Sequence, residues 1–220
     1  MPNELHPNLI LSESKAYDGL FTKLRNVKTN PSEFEFFSKR VMRILAEDAI
    51  AQLPHKTVKI ATPCAPNIEG KELISIDDIC VVSIVRAGDS LMEAVRECLP
   101  GVSVGKILIQ RNEETTEKLP TLYYSKFPPR IKDMHVLLCD PMLATGGSAN
   151  AALDVLTKHD VLLSNIIFVN VICCPEGLQR LAKDVPEVKV VTACVDQCLN
   201  ADKYIVPGLG DYGDRFFNTT

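Results

Sequence analysis

Residues 135–158 read HVLLCDPMLATGGSANAALDVLTK: a short apolar run, a loop of small residues, and a stretch with apolar positions at helical spacing. His135–Cys139 is expected as a strand and Ser148–Lys158 as a helix. Between them Asp140 sits at the strand's C-terminal end, the edge at which open α/β sheets bind ligands. The same alternation recurs on both sides. Ile79–Val85, Val104–Gln110, Asn165–Ile172 and Val188–Ala193 read as apolar strands. Leu91–Leu99 reads as a helix capped by Asp89 or Ser90, and Pro175–Lys183 as a helix with proline at its start. Five such strands predict an α/β fold with a central parallel sheet covered by helices on both faces and right-handed crossovers.

Upstream, Ser32 and Glu35 offer a capping box for a helix with apolar residues at Phe34, Phe37, Val41, Ile44, Leu45 and Ala49, ended by Pro54. Residues 1–30 show little periodicity and read as an N-terminal extension. Residues 55–78 read as short strands and loops. Residues 111–129 break the alternation: they are polar, carry Pro120 centrally and Tyr123, Tyr124 and Phe127 later, and suit a mobile arm or a plain surface excursion. No repeat or linker divides the chain, so residues 1–220 are expected to form one domain.

Composition narrows the function classes. With 24 Lys+Arg against 28 Asp+Glu the net charge is −4. No basic block is present, so binding to nucleic acid through phosphate contacts is not expected. No apolar run is long enough to span a membrane. The start, MPNELHPNLILSES, lacks the basic region of a signal peptide. Eight cysteines without framework or zinc-ligand spacing read as free thiols in a reducing compartment, and a cytoplasmic location is expected. His6, His55, His135 and His159 form no cluster, and no nucleophile triad can be assembled.

Three segments carry candidate chemistry. In the loop Asp140, Pro141, Met142, Leu143, Ala144, Thr145, Gly146, Gly147 and Ser148, the glycines let backbone N–H groups converge on an anion. The hydroxyls add donors, and the following helix dipole favours negative charge. The Lys of a P-loop is missing, so a monophosphate is the natural guest, with Asp140 placed to accept from sugar hydroxyls. In the second segment, Val85–Ser90, Arg86 follows a buried strand and calls for an anionic partner, either a ligand or a structural carboxylate. Ala87 and Gly88 are small enough for a ligand to approach. Arg111 follows another strand, and two arginines beside a phosphate loop suggest a substrate with several phosphates. In the third, Gly208, Gly210 and Gly213 match GxGxxG but lack the context of a dinucleotide site. A glycine-rich loop with aromatic neighbours reads as a backbone-lined pocket for a small planar ring.

These residues resemble a family. CDPMLATGGS is similar to the phosphoribosyl pyrophosphate (PRPP) loop of type I phosphoribosyltransferases in its uracil phosphoribosyltransferase variant. SIVRAGDS resembles the pyrophosphate-side loop, KILIQRNEET the entrance to the arm, and YIVPGLGDYGDRFFNT the C-terminal uracil-recognition segment, residues 204–220. The resemblance implies transfer of phosphoribosyl from PRPP to uracil, giving UMP and pyrophosphate in pyrimidine salvage, with Mg²⁺ carried on PRPP. It assigns Arg86 and Arg111 to pyrophosphate and Asp140–Ser148 to the 5′-phosphate and ribose. It assigns the backbone of Ile205, Gly210, Asp211 and Tyr212 to uracil, with Asp211 also beside PRPP. Arg86, Arg111, Asp140 and Asp211 are the residues it places at the reacting centre. It implies a homodimer or homotetramer and, in some members, a GTP effector. The chain departs from the family pattern at Asn112, where QRDEET has Asp, and at Asp89, where eukaryotic forms usually have Glu. Two alternatives stay open: a non-catalytic or weakly active PRPP- or nucleotide-sensing homologue, suggested by Asn112, and a transferase for another base.

Overall fold

A computed structural model describes residues 5–111 and 120–219. Its centre is a sheet whose strands are β1 (Leu9–Leu11), β4 (Ile79–Val85), β5 (Ser103–Arg111), β6 (Pro120–Lys126), β7 (His135–Cys139), β9 (Ile166–Asn170) and β11 (Lys189–Thr192). Their order is β1-β11-β9-β7-β4-β5-β6, parallel throughout except for the β5–β6 pair. In register, Val82 lies opposite Leu138 and Leu138 opposite Phe168.

Side chains alternate across this sheet, as strand geometry requires. Val81, Leu137 and Val169 face a core closed by α1 (Ala16–Arg25), α2 (Pro31–Ile50) and α3 (Gly88–Cys98). Val82, Leu138 and Phe168 face the opposite core, closed by α4 (Gly147–Thr157) and α5 (Pro175–Asp184). Burial on both faces explains why β4, ICVVSIV, is apolar almost throughout.

Several expectations are corrected. Residues 9–25 are not an appendage: Leu9–Leu11 pairs with β11 as an edge strand, and Tyr17, Leu20, Phe21 and Leu24 of α1 are buried in the first core. The capping box of α2 is formed by Asn30 and Glu33, with Pro31 following the cap, rather than by Ser32 and Glu35. Helix α3 begins after Ala87 with no side-chain cap. Asp89 is unavailable because it accepts a hydrogen bond from Ser83 Oγ at 2.7 Å and pairs with Lys106 at 3.2 Å. Within the 111–129 arm, Pro120–Lys126 is antiparallel strand β6 on the sheet edge. Asn112 and the arm's central part lie outside the described residues.

The remaining pieces are small. β2 (His55–Ile60) and β3 (Ile68–Leu73) form a separate hairpin. β8 (Met142–Leu143) pairs with β10 (Ile172–Cys173), and β12 (Cys198–Leu199) with β13 (Ile205–Val206). The chain ends in a short helix, α6 (Tyr212–Phe217). All eight cysteines are free thiols. No helix of the described residues is long and apolar enough to cross a membrane.

Candidate active site

The C-terminal ends of β4, β5 and β7 open onto a cavity of about 570 Å³. Three connections meet there: the turn from β4 into α3, the loop from β7 into α4, and the segment from β13 into α6. The cavity brings together Arg86, Asp140, Met142, Leu143, Ala144, Thr145, Gly146, Gly147 and Ser148 with Ile205, Gly210, Asp211 and Tyr212. Pro141 is buried behind the loop, where its carbonyl accepts from the N–H groups of Val171 and Ile172. Arg111 is the last residue of β5, and its side chain lies outside the described residues.

The loop before α4 has the shape of an anion cradle. Gly146, at φ 74°, is the residue preceding the helix, and it supplies no side-chain cap. The first turn of α4 contains no acidic residue, so no carboxylate of that turn competes for the positive end of the helix. Gly147 N donates only a long 3.4 Å bond to Thr145 Oγ1. Thr145 and Ser148 border the same cavity. Arg180 of α5 donates to the carbonyl of Thr145 at 3.4 Å and brings a cation to the loop's flank.

Asp140 leaves β7 with its N–H bonded to Val169 O and its carboxylate accepting from Met142 N at 3.3 Å. Burial pushes its carboxyl from 3.8 up to about 7, opposed by the Met142 N–H. Between those values the native carboxyl holds a proton that the unfolded chain has released. Stability therefore falls as pH rises through this window, and the loss persists above it. Asp140→Asn is expected to raise the melting temperature at pH 8 and to change it little at pH 4. It should also lower kcat/KM for a sugar-phosphate substrate about tenfold, because the ionised carboxylate is the better acceptor for sugar hydroxyls. Thermal melts and rate profiles across pH 5–9 check both parts, and an unchanged melt at pH 8 would contradict the burial argument.

Arg86 occupies a different setting from the one its sequence position suggested. Its side chain is 47% exposed, and Nη2 pairs with Asp214 at 2.7 Å. Nη1 donates to Thr219 Oγ1 at 3.0 Å, and the guanidinium lies 5.4 Å from the Phe217 ring centroid. The structural carboxylate is thus present, but at an exposed pair from which solvent or a ligand can take the arginine. Gly88, next in the turn, is required by the protein's own backbone. A Cβ there would stand 2.2 Å from Cys139 O, so what approaches is the neighbouring strand's end and not a ligand.

The segment from β13 into α6 is held from behind. Tyr212 is 1% exposed, packs edge-on to Phe34 and stacks on Phe216, while its hydroxyl meets Ser90 and Met42. Burial pushes that hydroxyl up to about 12. The N–H groups of Gly210 and Asp211 make no hydrogen bond to other described residues, and both residues border the cavity. Asp211 caps α6 by accepting from Asp214 N at 2.9 Å. Gln110, Asp202 and Lys203 also line the cavity, and the sequence reading missed them. Gln110 carries only a strand-end position as a signal. Asp202 and Lys203 lie in the tight connection between β12 and β13 and carry none. Among the described residues, no three His, Cys, Asp or Glu side chains converge as a metal cage.

Residues 11–219 match the sequence profile of the family described as uracil phosphoribosyltransferase. The chain is 44% identical to the uracil phosphoribosyltransferase of Saccharomyces cerevisiae over 94% of each chain. It superposes on the AQ2163 protein of Aquifex aeolicus with a TM-score of 0.82 and 31% identity, over 96% of this chain and 99% of that one. It is also similar in fold to an adenine phosphoribosyl transferase of Trypanosoma brucei, at a TM-score of 0.58 and 13% identity over 87% and 85% of the two chains.

Proposed function

The chain belongs to the uracil phosphoribosyltransferase family, and on that premise we propose that it transfers the 5-phosphoribosyl group of PRPP to uracil, giving UMP and pyrophosphate in pyrimidine salvage. One observation carries the reading: a single cavity is bordered by the glycine loop at a helix start, by Asp140, and by Gly210 and Asp211, whose N–H groups have no hydrogen-bond partner among the described residues. A substrate with a phosphate at one end of a ribose and a planar base at the other has that order of demands.

In this assignment, the backbone N–H groups of Gly147 and Ser148 and the hydroxyls of Thr145 and Ser148 take the 5′-phosphate. Asp140 accepts from the ribose hydroxyls. Arg86 leaves Asp214 for the pyrophosphate, joined by Arg111. The bond from the anomeric carbon to pyrophosphate breaks, the bond to uracil N1 forms, and the N1 proton departs. The transition state resembles an oxocarbenium ion, so the protein contributes positioning, neutralisation of the leaving group and exclusion of water. No protein nucleophile is called for. Mg²⁺ would enter as part of the substrate, carried by PRPP, and Asp211 on the cavity wall would be the carboxylate on its side. The arm around residues 111–129 serves as the lid.

The hairpin β2–β3 pairs only with itself among the described strands and leaves Ile60 and Ile68 41–45% exposed. A two-stranded hairpin is marginal alone, which supports a homo-oligomer that covers it. Free thiols support a cytoplasmic location.

Incubation with uracil and Mg-PRPP should yield UMP and pyrophosphate in equal amounts. PRPP binding without turnover would favour the sensing alternative. Arg86→Ala is expected to lower kcat and PRPP affinity by ~2–4 kcal/mol in combined effect, as for loss of an oxyanion donor. Steady-state kinetics with each substrate varied checks this, and a loss confined to uracil affinity would contradict the assignment.

A further inference from the structure

Two arginines outside the cavity converge on the back of the base-side segment. Arg25, the last residue of α1, grips Asp196 through both nitrogens, Nη2 to Oδ1 at 2.6 Å and Nη1 to Oδ2 at 2.8 Å. The Asp196 side chain is only 4% exposed. The pair also holds Gly208: Asp196 Oδ2 accepts from Gly208 N at 2.8 Å, and Arg25 Nη1 donates to Gly208 O at 2.9 Å. Arg215, on α6, donates through Nη1 to Leu209 O and Leu24 O, both at 2.5 Å, and through Nη2 to Asn26 O at 2.9 Å. Its guanidinium lies 4.2 Å from the Phe34 ring centroid.

The peptide bond is planar, with C=O and N–H pointing in opposite directions in the trans form. The Leu209 carbonyl and the Gly210 N–H belong to one such unit. An arginine that draws the carbonyl toward α1 therefore turns the N–H away from α1. Gly210 N has no partner among the described residues, and Gly210 borders the cavity. Gly208 fixes the residue type of the turn: its φ is +61°, and a Cβ would stand 2.0 Å from Ile205 O, so the position excludes a side chain.

We propose that Arg215, supported by the Arg25–Asp196 pair, is a positioning residue that aims the Gly210 N–H at the base and so sets both affinity for the pyrimidine and choice among pyrimidines. This rests on reading residues 205–212 as the base-recognition segment. It gives the N-terminal helix a role in specificity, since Leu24 O, Arg25 and Asn26 O are the anchors for a loop more than 180 residues away, Arg25 and Gly208 being separated by 183. The fork geometry of arginine matters here, because each guanidinium holds two or more oxygens at once, which an ammonium on a flexible stem does less rigidly.

The test compares Arg215→Met, Arg215→Lys and Arg25→Lys with the unaltered protein. Met keeps apolar length over Phe34 but donates nothing, whereas Lys keeps a cation. Measured quantities are KM for uracil, the Kd of PRPP by calorimetry, the uracil-to-cytosine ratio of kcat/KM, and the melting temperature. Arg215→Met is expected to raise KM for uracil about tenfold or more, the value of one lost hydrogen bond. The uracil preference should fall by a similar factor, while the Kd of PRPP stays within about twofold. The two Lys variants should lie between. If Arg215→Met does not fold, Arg25→Lys carries the same comparison. Unchanged KM for uracil and unchanged base preference would overturn the proposal, as would parallel losses in uracil and PRPP binding that merely follow the melting temperature. If the unaltered protein makes no UMP, it is the reading of the reaction that fails, not the clamp.

Discussion

Offered uracil and cytosine in competition, the protein is expected to turn over uracil by about 10⁴-fold or more in preference. Uracil presents O2, N3–H and O4 along one edge, an acceptor, a donor and an acceptor. Cytosine replaces N3–H by a bare acceptor and O4 by an amine, so two of the three positions reverse. A site made of flexible side chains could adjust to that reversal. The segment here has little freedom: both polar groups of Gly208 and the carbonyl of Leu209 are already bonded to Asp196, Arg25 and Arg215. Buried groups that meet the wrong edge go unpaired, and an unpaired buried group costs more than a missing contact. Substituents at ring position 5 do not touch that edge, so 5-fluorouracil should be accepted. Initial rates with each base at fixed Mg-PRPP decide the matter. Comparable turnover of cytosine and uracil would mean that Ile205, Gly210, Asp211 and Tyr212 do not read the base.

Gly147→Val should abolish useful PRPP binding while leaving the fold intact. A Cβ at this position would meet Thr145 Oγ1 at 3.5 Å and Arg180 Nη1 at 3.7 Å, which is ordinary contact. The protein therefore has room for the first carbon of a side chain. A phosphate seated on the first N–H groups of α4 does not share that room. Displacing it forfeits two or three charge-assisted hydrogen bonds, about 10³-fold in affinity. Calorimetric titration with PRPP, together with a thermal melt, separates this from unfolding. A folded variant that binds PRPP normally would refute the cradle. Gly88→Ala gives a useful contrast. There the added carbon would stand 2.2 Å from Cys139 O, so the melting temperature, and not PRPP binding alone, should fall.

Much of the architecture was legible because its signals are local. The strand Ile79–Val85 and the strand His135–Cys139 were read with the ends they have. A buried parallel strand is apolar on both faces, and the Val- and Ile-rich make-up and short length of Ile79–Val85 separate it from a buried helix. The loop's place was legible for a similar reason: two glycines and two hydroxyls between a strand and a helix mark a tight turn at the sheet edge, and the structure puts Gly146 at φ 74° just before α4. The errors fall where several residues of one type compete for a single role. Asp89, Ser90 and Ser32 could all cap a helix. The structure gives Asp89 to Ser83 and Lys106, and gives the α2 cap to Asn30. Strand β1 was missed because three residues, LIL, carry no periodicity of their own. Its place is set by β11, which it joins only when the chain closes.

By itself, then, the sequence determined the alternation of strands and helices, the edge of the sheet at which the cavity opens, and the residue types gathered there. Those follow from backbone period, from the small volume of glycine and from the apolar demand of a two-faced sheet, all of which act over a few residues. Only the tertiary structure decided which partner each polar group took. Arg86 rests on Asp214, 128 residues on; Arg25 holds Gly208; Arg215 ties Leu209 to the end of α1. The identity of such a partner depends on which distant surfaces the packed core brings within about 3 Å, the range over which a hydrogen bond acts. Spacing along the chain carries no record of that distance.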